Sequence, residues 1–319
     1  MDKATQGIEY AIVTGSSGLL GRALVRRLAN AGTMVLAIDR EAGTNQHAQA
    51  NLFCSIAEVR DSRALSCAIA QLTERERGKA VMFHLAGISH AGMCRRDPLG
   101  AIAVNVMGSA NAVEACRQLG IPALIFPSTG LVYGQPKDLP VDETASTPAP
   151  SVYAATKLAA ETVLKGYAAE YNLSCSVARL GNVFGHGSSS DTIVSILLEQ
   201  ALKGGPLSAR TLTPVRDFIF KEDVVDGLIS LASSGYERGY HVYNLSSGIG
   251  TSIRDLALLI CKLAGLPPLL HETPIKQEVD PTILILSIDR VSSYIGWTPC
   301  WTLESGLKQT LQELRDEKE

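Results

Sequence analysis

Apolar residues in the first part of the chain fall into two alternating rhythms. Continuous apolar runs predict buried strands at 10–14, 33–39, 51–55, 80–86, 122–127 and 174–180. Between them, apolar residues recurring at helical spacing predict helices over 19–30, 61–72, 98–119 and 151–170. Asp97-Pro98 opens one of these with a capping side chain and then proline at the first helical position. Gly32 and Gly120 stand where helices stop. Regular strand–helix alternation implies a parallel sheet covered on both faces, a doubly wound α/β arrangement. After about residue 182 the rhythm loosens. A loop at 185–190 leads to a helix at 191–203 and the break Gly204-Gly205-Pro206. Strands are expected around Phe218-Ile219-Phe220, at 241–245 and at 282–287, with helices near 252–264, 289–295 and 303–315. The expected division is a nucleotide-type domain from 1–182 plus 217–250, and a smaller, mostly C-terminal α/β lobe from 183–216 plus 251–319 that would take the substrate.

Composition narrows the class. The chain is 46% hydrophobic and 19% charged, as an ordinary globular protein is. Twenty-nine lysines and arginines against 32 acids leave a net charge of −3, which argues against nucleic acid as a partner. No apolar run comes near the ~18 residues that span a bilayer, and residues 1–7 hold no apolar signal core. These features point to a cytoplasmic protein with no membrane partner. The seven cysteines are scattered and form no CxxC, and the six histidines form no HExxH. No metal site is expected. His84, at the end of an apolar run, reads as a packed core histidine.

Tyr10-Ala11-Ile12-Val13 leads through Thr14 into Gly15-Ser16-Ser17-Gly18-Leu19-Leu20-Gly21, and helical spacing follows at Leu24, Val25 and Leu28. Strand, glycine turn and helix present bare backbone N–H groups and the positive end of a helix dipole, which suits a dinucleotide diphosphate. Asp39 ends the next strand, where a carboxylate can accept ribose hydroxyls and repel a 2′-phosphate. This is a Rossmann-type signature, and it favours NAD. Arg40, beside Asp39, leaves NADP open.

Tyr153 and Lys157 stand at i and i+4 of a predicted helix and share a face. A tyrosine that acts as a base near neutral pH must titrate about 3 pH units below its ordinary value, roughly 4 kcal/mol of differential stabilisation. A neighbouring lysine and a cationic nicotinamide together can supply it. Tyr133 and Lys137 have the same spacing, but Gly134 and Pro136 break any helix there. Ser128-Thr129 ends the fifth strand, on the side of a parallel sheet where ligands bind. A hydroxyl there can hold a reacting oxygen.

Together these pieces resemble the extended short-chain dehydrogenase/reductase family, in its NAD-dependent epimerase/dehydratase branch. The resemblance runs through Thr14-Gly15-xx-Gly18-xx-Gly21, Asp39, His84-Leu85-Ala86-Gly87, Asn105-Val106-Met107-Gly108 and Ser128-Thr129-Gly130-Leu131-Val132-Tyr133-Gly134. It continues through Tyr153-xxx-Lys157, Arg179-Leu180-Gly181-Asn182-Val183-Phe184-Gly185, Arg216-Asp217-Phe218-Ile219, Tyr243-Asn244-Leu245 and Gly296-Trp297-Thr298-Pro299. It implies that Tyr153 is the base, Lys157 its electrostatic partner and Thr129 the third member. Gly15, Gly18, Leu19, Leu20, Gly21, Asp39, Arg40, Glu58, Val59, Leu85, Ala86, Gly87, Asn105, Ser128 and Leu180 would complete the NAD site with Tyr153 and Lys157. Glu58-Val59 would lie against adenine. Ser89, Thr129, Asn182 and Arg216 would hold a nucleotide sugar, with Lys276 in place of the family's second diphosphate arginine.

The positions after Thr129 discriminate between activities. Dehydratases of this family carry an Asp-Glu pair there and decarboxylases a glutamate. Gly130 and Leu131 can exchange no proton, which leaves hydride transfer with one acid/base. The leading expectation is a C4 epimerase like UDP-galactose 4-epimerase. A net ketoreductase or sugar dehydrogenase, and a non-catalytic nucleotide-binding protein, are the alternatives. The family implies a homodimer packed through helices 98–119 and 151–170, with Ala101, Ala110, Ala115, Ala155, Leu158, Ala159 and Val163 available for the contact.

Overall fold

A computed structural model describes residues 7–42, 49–234, 237–272 and 283–317. Its strands are β1 (Tyr10–Thr14), β2 (Met34–Asp39), β3 (Leu52–Ile56), β4 (Ala80–His84), β5 (Ala123–Thr129), β6 (Ser174–Leu180), β7 (Asn182–Phe184), β8 (Leu207–Ala209), β9 (Val215–Phe220), β10 (Gly239–Leu245), β11 (Gly250–Ser252), β12 (Leu270–Glu272) and β13 (Ile283–Leu284). Its helices are α1 (Leu19–Asn30), α2 (Ser62–Ile69), α3 (Glu74–Arg77), α4 (Ala91–Arg96), α5 (Pro98–Ile102), α6 (Gly108–Leu119), α7 (Val152–Tyr171), α8 (Ile193–Leu202), α9 (Lys221–Ser233), α10 (Ile253–Ala264), α11 (Asp289–Ile295) and α12 (Leu303–Asp316).

Seven strands form a parallel sheet in the order β10-β6-β5-β4-β1-β2-β3. The order reverses between β1 and β4, which opens the crevice where doubly wound sheets bind ligands. Residue parity along each strand sorts the two cores. Val13, Val81 and Phe83 face Leu24 and Leu28 of α1 and Val225 and Leu228 of α9. Ile12 and Met82 face Leu65 of α2, Val113 of α6 and Leu164 of α7. A third core joins Leu197 of α8, Leu207 of β8, Phe218 and Phe220 of β9, Leu256 and Ile260 of α10 and Leu311 of α12. This is the Rossmann-type sheet with a C-terminal α/β lobe that the sequence predicts.

Local differences have local causes. Asp97 caps the helix after it, accepting from Gly100 N at 2.9 Å, with Pro98 at its start. The expected single helix 98–119 is interrupted by a π-turn at Ala103–Met107. Pro98–Leu119 is also long and apolar enough, by length and composition, to cross a membrane, against the expectation of no such stretch. Its Ala112, Val113 and Cys116 share a core with Met82 and Leu124 of the sheet. The expected helix 61–72 ends at Ile69. Helix α9 and the three-residue strands β7, β8, β11 and β12 are not among the expected elements. Strand 282–287 shrinks to Ile283–Leu284 plus a bridge from Leu286 to Val141. Ala101 and Ala115 are buried within the chain, so neither is available to a second copy.

Candidate active site

Two ends of the sheet's carboxyl edge build the site. At β1 the chain turns through Gly15, whose φ of +70° suits glycine, and whose missing Cβ leaves room for Ala86 N at 2.5 Å. Gly21, one turn into α1, would collide with the Gly15 carbonyl oxygen if it carried a Cβ. Gly18 caps α1 with no side-chain hydrogen bond, so the first-turn N–H groups have no side-chain acceptor from the cap. Leu19 and Leu20 are half-buried at that end. Ser17 Oγ is buried without a hydrogen-bond partner among the described residues, and Arg22 Nη1 props the turn by donating to Ser17 O at 3.0 Å.

Asp39 faces the same turn. Its Oδ2 accepts from Ser17 N and its Oδ1 from Arg40 N, each at 2.8 Å. A carboxylate has about four lone-pair sites, so acceptor capacity remains. Arg40 points outward and pairs with Glu41 at 3.3 Å, both side chains more than 70% exposed. Glu58 pairs with Arg60 at 3.1 Å, and that guanidinium holds its carboxyl below the ordinary range. Val59 is buried, and its Cγ2 lies 2.8 Å from where a Cβ on Gly108 would sit. A cradle bare of side chains, an orphaned hydroxyl and a carboxylate at the next strand end together fit a dinucleotide.

The path continues over β4. Leu85 N donates to Thr14 O at 3.0 Å, and Ala86 N reaches Thr14 Oγ1 at 3.4 Å. Asn105 is buried in the π-turn, where its side chain binds Ile88 N at 2.7 Å, Ile88 O at 3.0 Å and Thr156 Oγ1 at 3.0 Å. It fixes the loop that carries Gly87 and the exposed Ser89. His84 is a packed core residue as expected. Its Nδ1 shares a hydrogen bond with Thr14 at 2.8 Å and its Nε2 one with Ser109 at 3.2 Å. Burial and the charge on Lys157 push it down to about 3.

At the end of β5, Thr129 stands beside Tyr153 and works to lower the pKa of its phenol. Ser151 caps α7, and Tyr153 and Lys157 fall on its buried face, both 9% exposed. Lys157 Nζ lies 4.2 Å from the centre of the Phe126 ring. Burial draws Lys157 down to about 8, against the pull of Glu161. In its own protein surroundings Tyr153 stands high. Burial pushes it up to about 12, and Thr129 works the other way. A low dielectric penalises the phenolate, and Lys157 rests over Phe126. The second pair has no such face: Tyr133 is buried in a 3-10 turn, while Lys137 is exposed.

Ser128 is buried at the end of β5. Its hydroxyl donates to Glu161 Oε1, because that buried carboxylate lies directly behind it. Leu180 stands beside Thr129 in the sheet register. Asn182 starts β7, which pairs with β9. Arg216 of β9 is buried, with Nη1 donating to Val215 O at 3.2 Å. A surface pair with Asp217 or Glu222 does not explain it. Asp217 accepts from Ser247 N, Gly248 N and Leu286 N at 2.9, 3.1 and 3.2 Å, and Glu222 pairs with Arg26 and Arg27. Lys276 lies outside the described residues.

Sequence reasoning missed three groups here. Glu161 and Arg179 form a buried ion pair at 2.7 Å; the signal was an acid one turn beyond Lys157. Cys94 joins Tyr153 and Ala101 in one small core. The turn after β7 reaches across to α1, where Gly187 makes room for Arg22 Nη2, and Asp191 pairs with His90 at 3.0 Å.

The family described as NAD dependent epimerase/dehydratase matches residues 11–246. UDP-glucose 4-epimerase of Mycolicibacterium smegmatis is 29% identical, over 97% of this chain and 99% of that protein. UDP-glucose 4-epimerase of Thermotoga maritima, solved with UDP-glucose, superposes with a TM-score of 0.87 at 27% identity, over 97% of this chain and 100% of that one. UDP-glucose 4-epimerase of Thermus thermophilus, solved with NAD, gives 0.85 at 29% identity, over 96% of this chain and 99% of that one.

Proposed function

Because this chain belongs to the NAD-dependent epimerase/dehydratase family, we propose that it is an NAD-dependent nucleotide-sugar epimerase acting at C4 through a transient 4-keto sugar. One observation carries the reading. Thr129 stands beside Tyr153 at the carboxyl end of β5 and works to lower the pKa of its phenol, and the next two residues, Gly130 and Leu131, offer no second acid or base. Chemistry confined to one hydroxyl-bearing carbon is what this set supports.

Tyr153 takes the proton of the 4-hydroxyl and returns it when the carbinol re-forms. Thr129 binds the same oxygen and fixes its direction. Lys157 favours the phenolate electrostatically. Since burial, helped by Cys94, holds Tyr153 at about 12, ionisation near neutrality needs added positive charge. NAD, when bound, supplies that charge and serves as acceptor and donor of the two electrons at C4. Gly15, Gly18, Gly21 and the start of α1 would hold its diphosphate, and Asp39 its adenosine ribose. The outward turn of Arg40 toward Glu41 supports NAD over NADP. Asn182 and Arg216 would bind the substrate diphosphate. The UDP-glucose relatives support a UDP-sugar.

The test follows UDP-, GDP-, CDP- and dTDP-sugars by proton NMR while absorbance is read near 340 nm. Inversion at C4 without net change in absorbance is expected. Stoichiometric gain or loss of NADH replaces the epimerase with a net oxidoreductase. The proposal extends to a homodimer through the α4–α7 face, where Leu99 is 78% and Met107 55% exposed.

A further inference from the structure

Behind the Tyr153–Lys157 face lies one more buried charge. Tyr153, Lys157 and Glu161 occupy positions i, i+4 and i+8 of α7, all turned inward. Glu161 is 2% exposed, where an ionised carboxylate carries a large desolvation cost. Arg179 offsets it, with Nη2 2.7 Å from Oε2 and Nε 3.3 Å from both oxygens. The Ser128 hydroxyl donates to Oε1, and the Tyr240 hydroxyl to Oε2 at 3.3 Å.

These partners bracket Thr129. Ser128 precedes it in β5. Arg179 precedes Leu180, the residue opposite Thr129 in the β5–β6 register. Arg179 Nη1 donates to the Tyr133 hydroxyl at 3.0 Å, and that hydroxyl donates to Asn244 Oδ1 at 2.7 Å. Tyr133 closes the 3-10 turn that starts at Gly130.

A buried ion pair is weak evidence for stability, because apolar side chains of similar volume often do as well. What they cannot supply is a fixed negative charge. Among the described residues, the groups that bear on Lys157 are Glu161 on its own helix, Cys94 on α4, His84 on β4 and the Phe126 ring on β5, with Tyr153 one turn before it on α7. Burial keeps His84 and Cys94 uncharged. Glu161 is therefore the standing counter-charge in this set.

Building on the epimerase reading, we propose that Glu161 is a positioning residue: fixed by Arg179 and Ser128, its carboxylate supplies the negative charge that keeps Lys157 an ammonium beside Tyr153, and it anchors the strand end bearing Thr129.

Glu161→Gln keeps the size and an acceptor oxygen for Ser128 but removes the charge. Two readouts are compared with the wild type: the titration of Lys157, by NMR of lysines labelled with 13C at the ε position and assigned with Lys157→Arg, and the pH profile of kcat on the sugar that turns over. The lysine midpoint and the alkaline limb of kcat should both move down by about one pH unit or more. Activity at pH 9 relative to pH 7 should drop about fivefold further than in the wild type, with KM nearly constant. Glu161→Asp should restore the limb. If Glu161→Gln does not fold, the double variant Glu161→Gln/Arg179→Gln is compared with Arg179→Gln, and the lysine midpoint should be lower in the double variant. An unchanged lysine midpoint overturns the proposal, as does an equal loss of kcat at every pH. If the wild type epimerises none of the sugars, the functional reading falls, and the lysine midpoint still decides the role of Glu161.

Discussion

At Tyr153 one oxygen atom separates a buried aromatic ring from a base. Tyr153→Phe removes that oxygen and leaves the packing with Cys94 and Ala101. Turnover should fall by about a thousandfold, the range of positioned acid–base catalysis. NAD affinity, measured by fluorescence titration, should stay within a few-fold, and an unaffected rate refutes the assignment. His84 allows a second test, on stability. Its folded value of about 3 lies below the ordinary ~6.5. Between those values the unfolded chain binds a proton that the folded chain refuses. Stability from His84 is thus fully present above about pH 6.5 and drains away as pH falls toward 3, by about 1.4 kcal/mol per pH unit. Asp217 and Asp223, both held above the carboxylate range by burial, work the opposite way, since the folded chain takes their protons first. His84→Asn isolates the histidine. Urea unfolding between pH 4.5 and 6.5 should give a slope flatter than wild type by about 1.4 kcal/mol per pH unit; equal slopes contradict the buried neutral ring. The identity of these residues was legible from their place at strand ends and at helical spacing. Their titration was not, because burial is a property of the folded packing. Tyr153 stands high in the protein alone for that reason.

Among the elements, the β1–α1 unit was the most legible, since a strand, three glycines and a helix are all local in sequence. Its glycines make a contrast that stability measurements can read. Gly21→Ala drives a Cβ into the Gly15 carbonyl and should cost about 1–3 kcal/mol while weakening NAD binding at least tenfold. Gly166, in the middle of α7, has no heavy atom within 4 Å of the place a Cβ would take. Gly166→Ala should stabilise by about 0.5–1 kcal/mol, through helix propensity and a less flexible unfolded chain. Thermal melts check both, and a stable Gly21→Ala would contradict the close approach at the turn. Helix α9 was missed for a physical reason. It starts at the end of β9 on Phe220, with no capping side chain, and Val224, Val225, Leu228, Ile229 and Leu231 are all buried. A helix with no start signal and a wide apolar face does not announce its boundary. The π-turn at Ala103–Met107 adds one residue to a helix without altering its composition, so no pattern marks it. The Glu161–Arg179 pair joins α7 to β6, and neither residue alone looks different from a solvated charge.

On the scale of the whole molecule, the apolar surface is uneven. Met93, Leu99, Ile102 and Met107 are 49, 78, 43 and 55% exposed along α4, α5 and the π-turn. A straight α-helix would separate Ile102 from Met107, five residues on. The π-turn between them has i to i+5 periodicity, which returns Met107 to the face of Leu99 and Ile102. Single exposed apolar residues are ordinary on a monomer, whereas a contiguous set marks a contact. The alanines expected to serve here divide: Ala101 and Ala115 are spent on the chain's own core, while Ala155 is exposed. The proposed dimer therefore rests on the larger side chains. Leu99→Glu/Met107→Glu should convert a dimer to a monomer in sedimentation equilibrium at micromolar concentration without lowering the folded fraction. Activity should fall less than with Tyr153→Phe, because Tyr153, Lys157, Thr129 and the glycine turn all belong to one chain. It should nonetheless fall several-fold. Cys94 and Ala101, which back Tyr153, are carried by α4 and α5, and those helices would lose their outer support. A wild-type chain that sediments as a monomer refutes the interface. A monomeric variant with full activity would show that α4 and α5 hold Tyr153 without a partner.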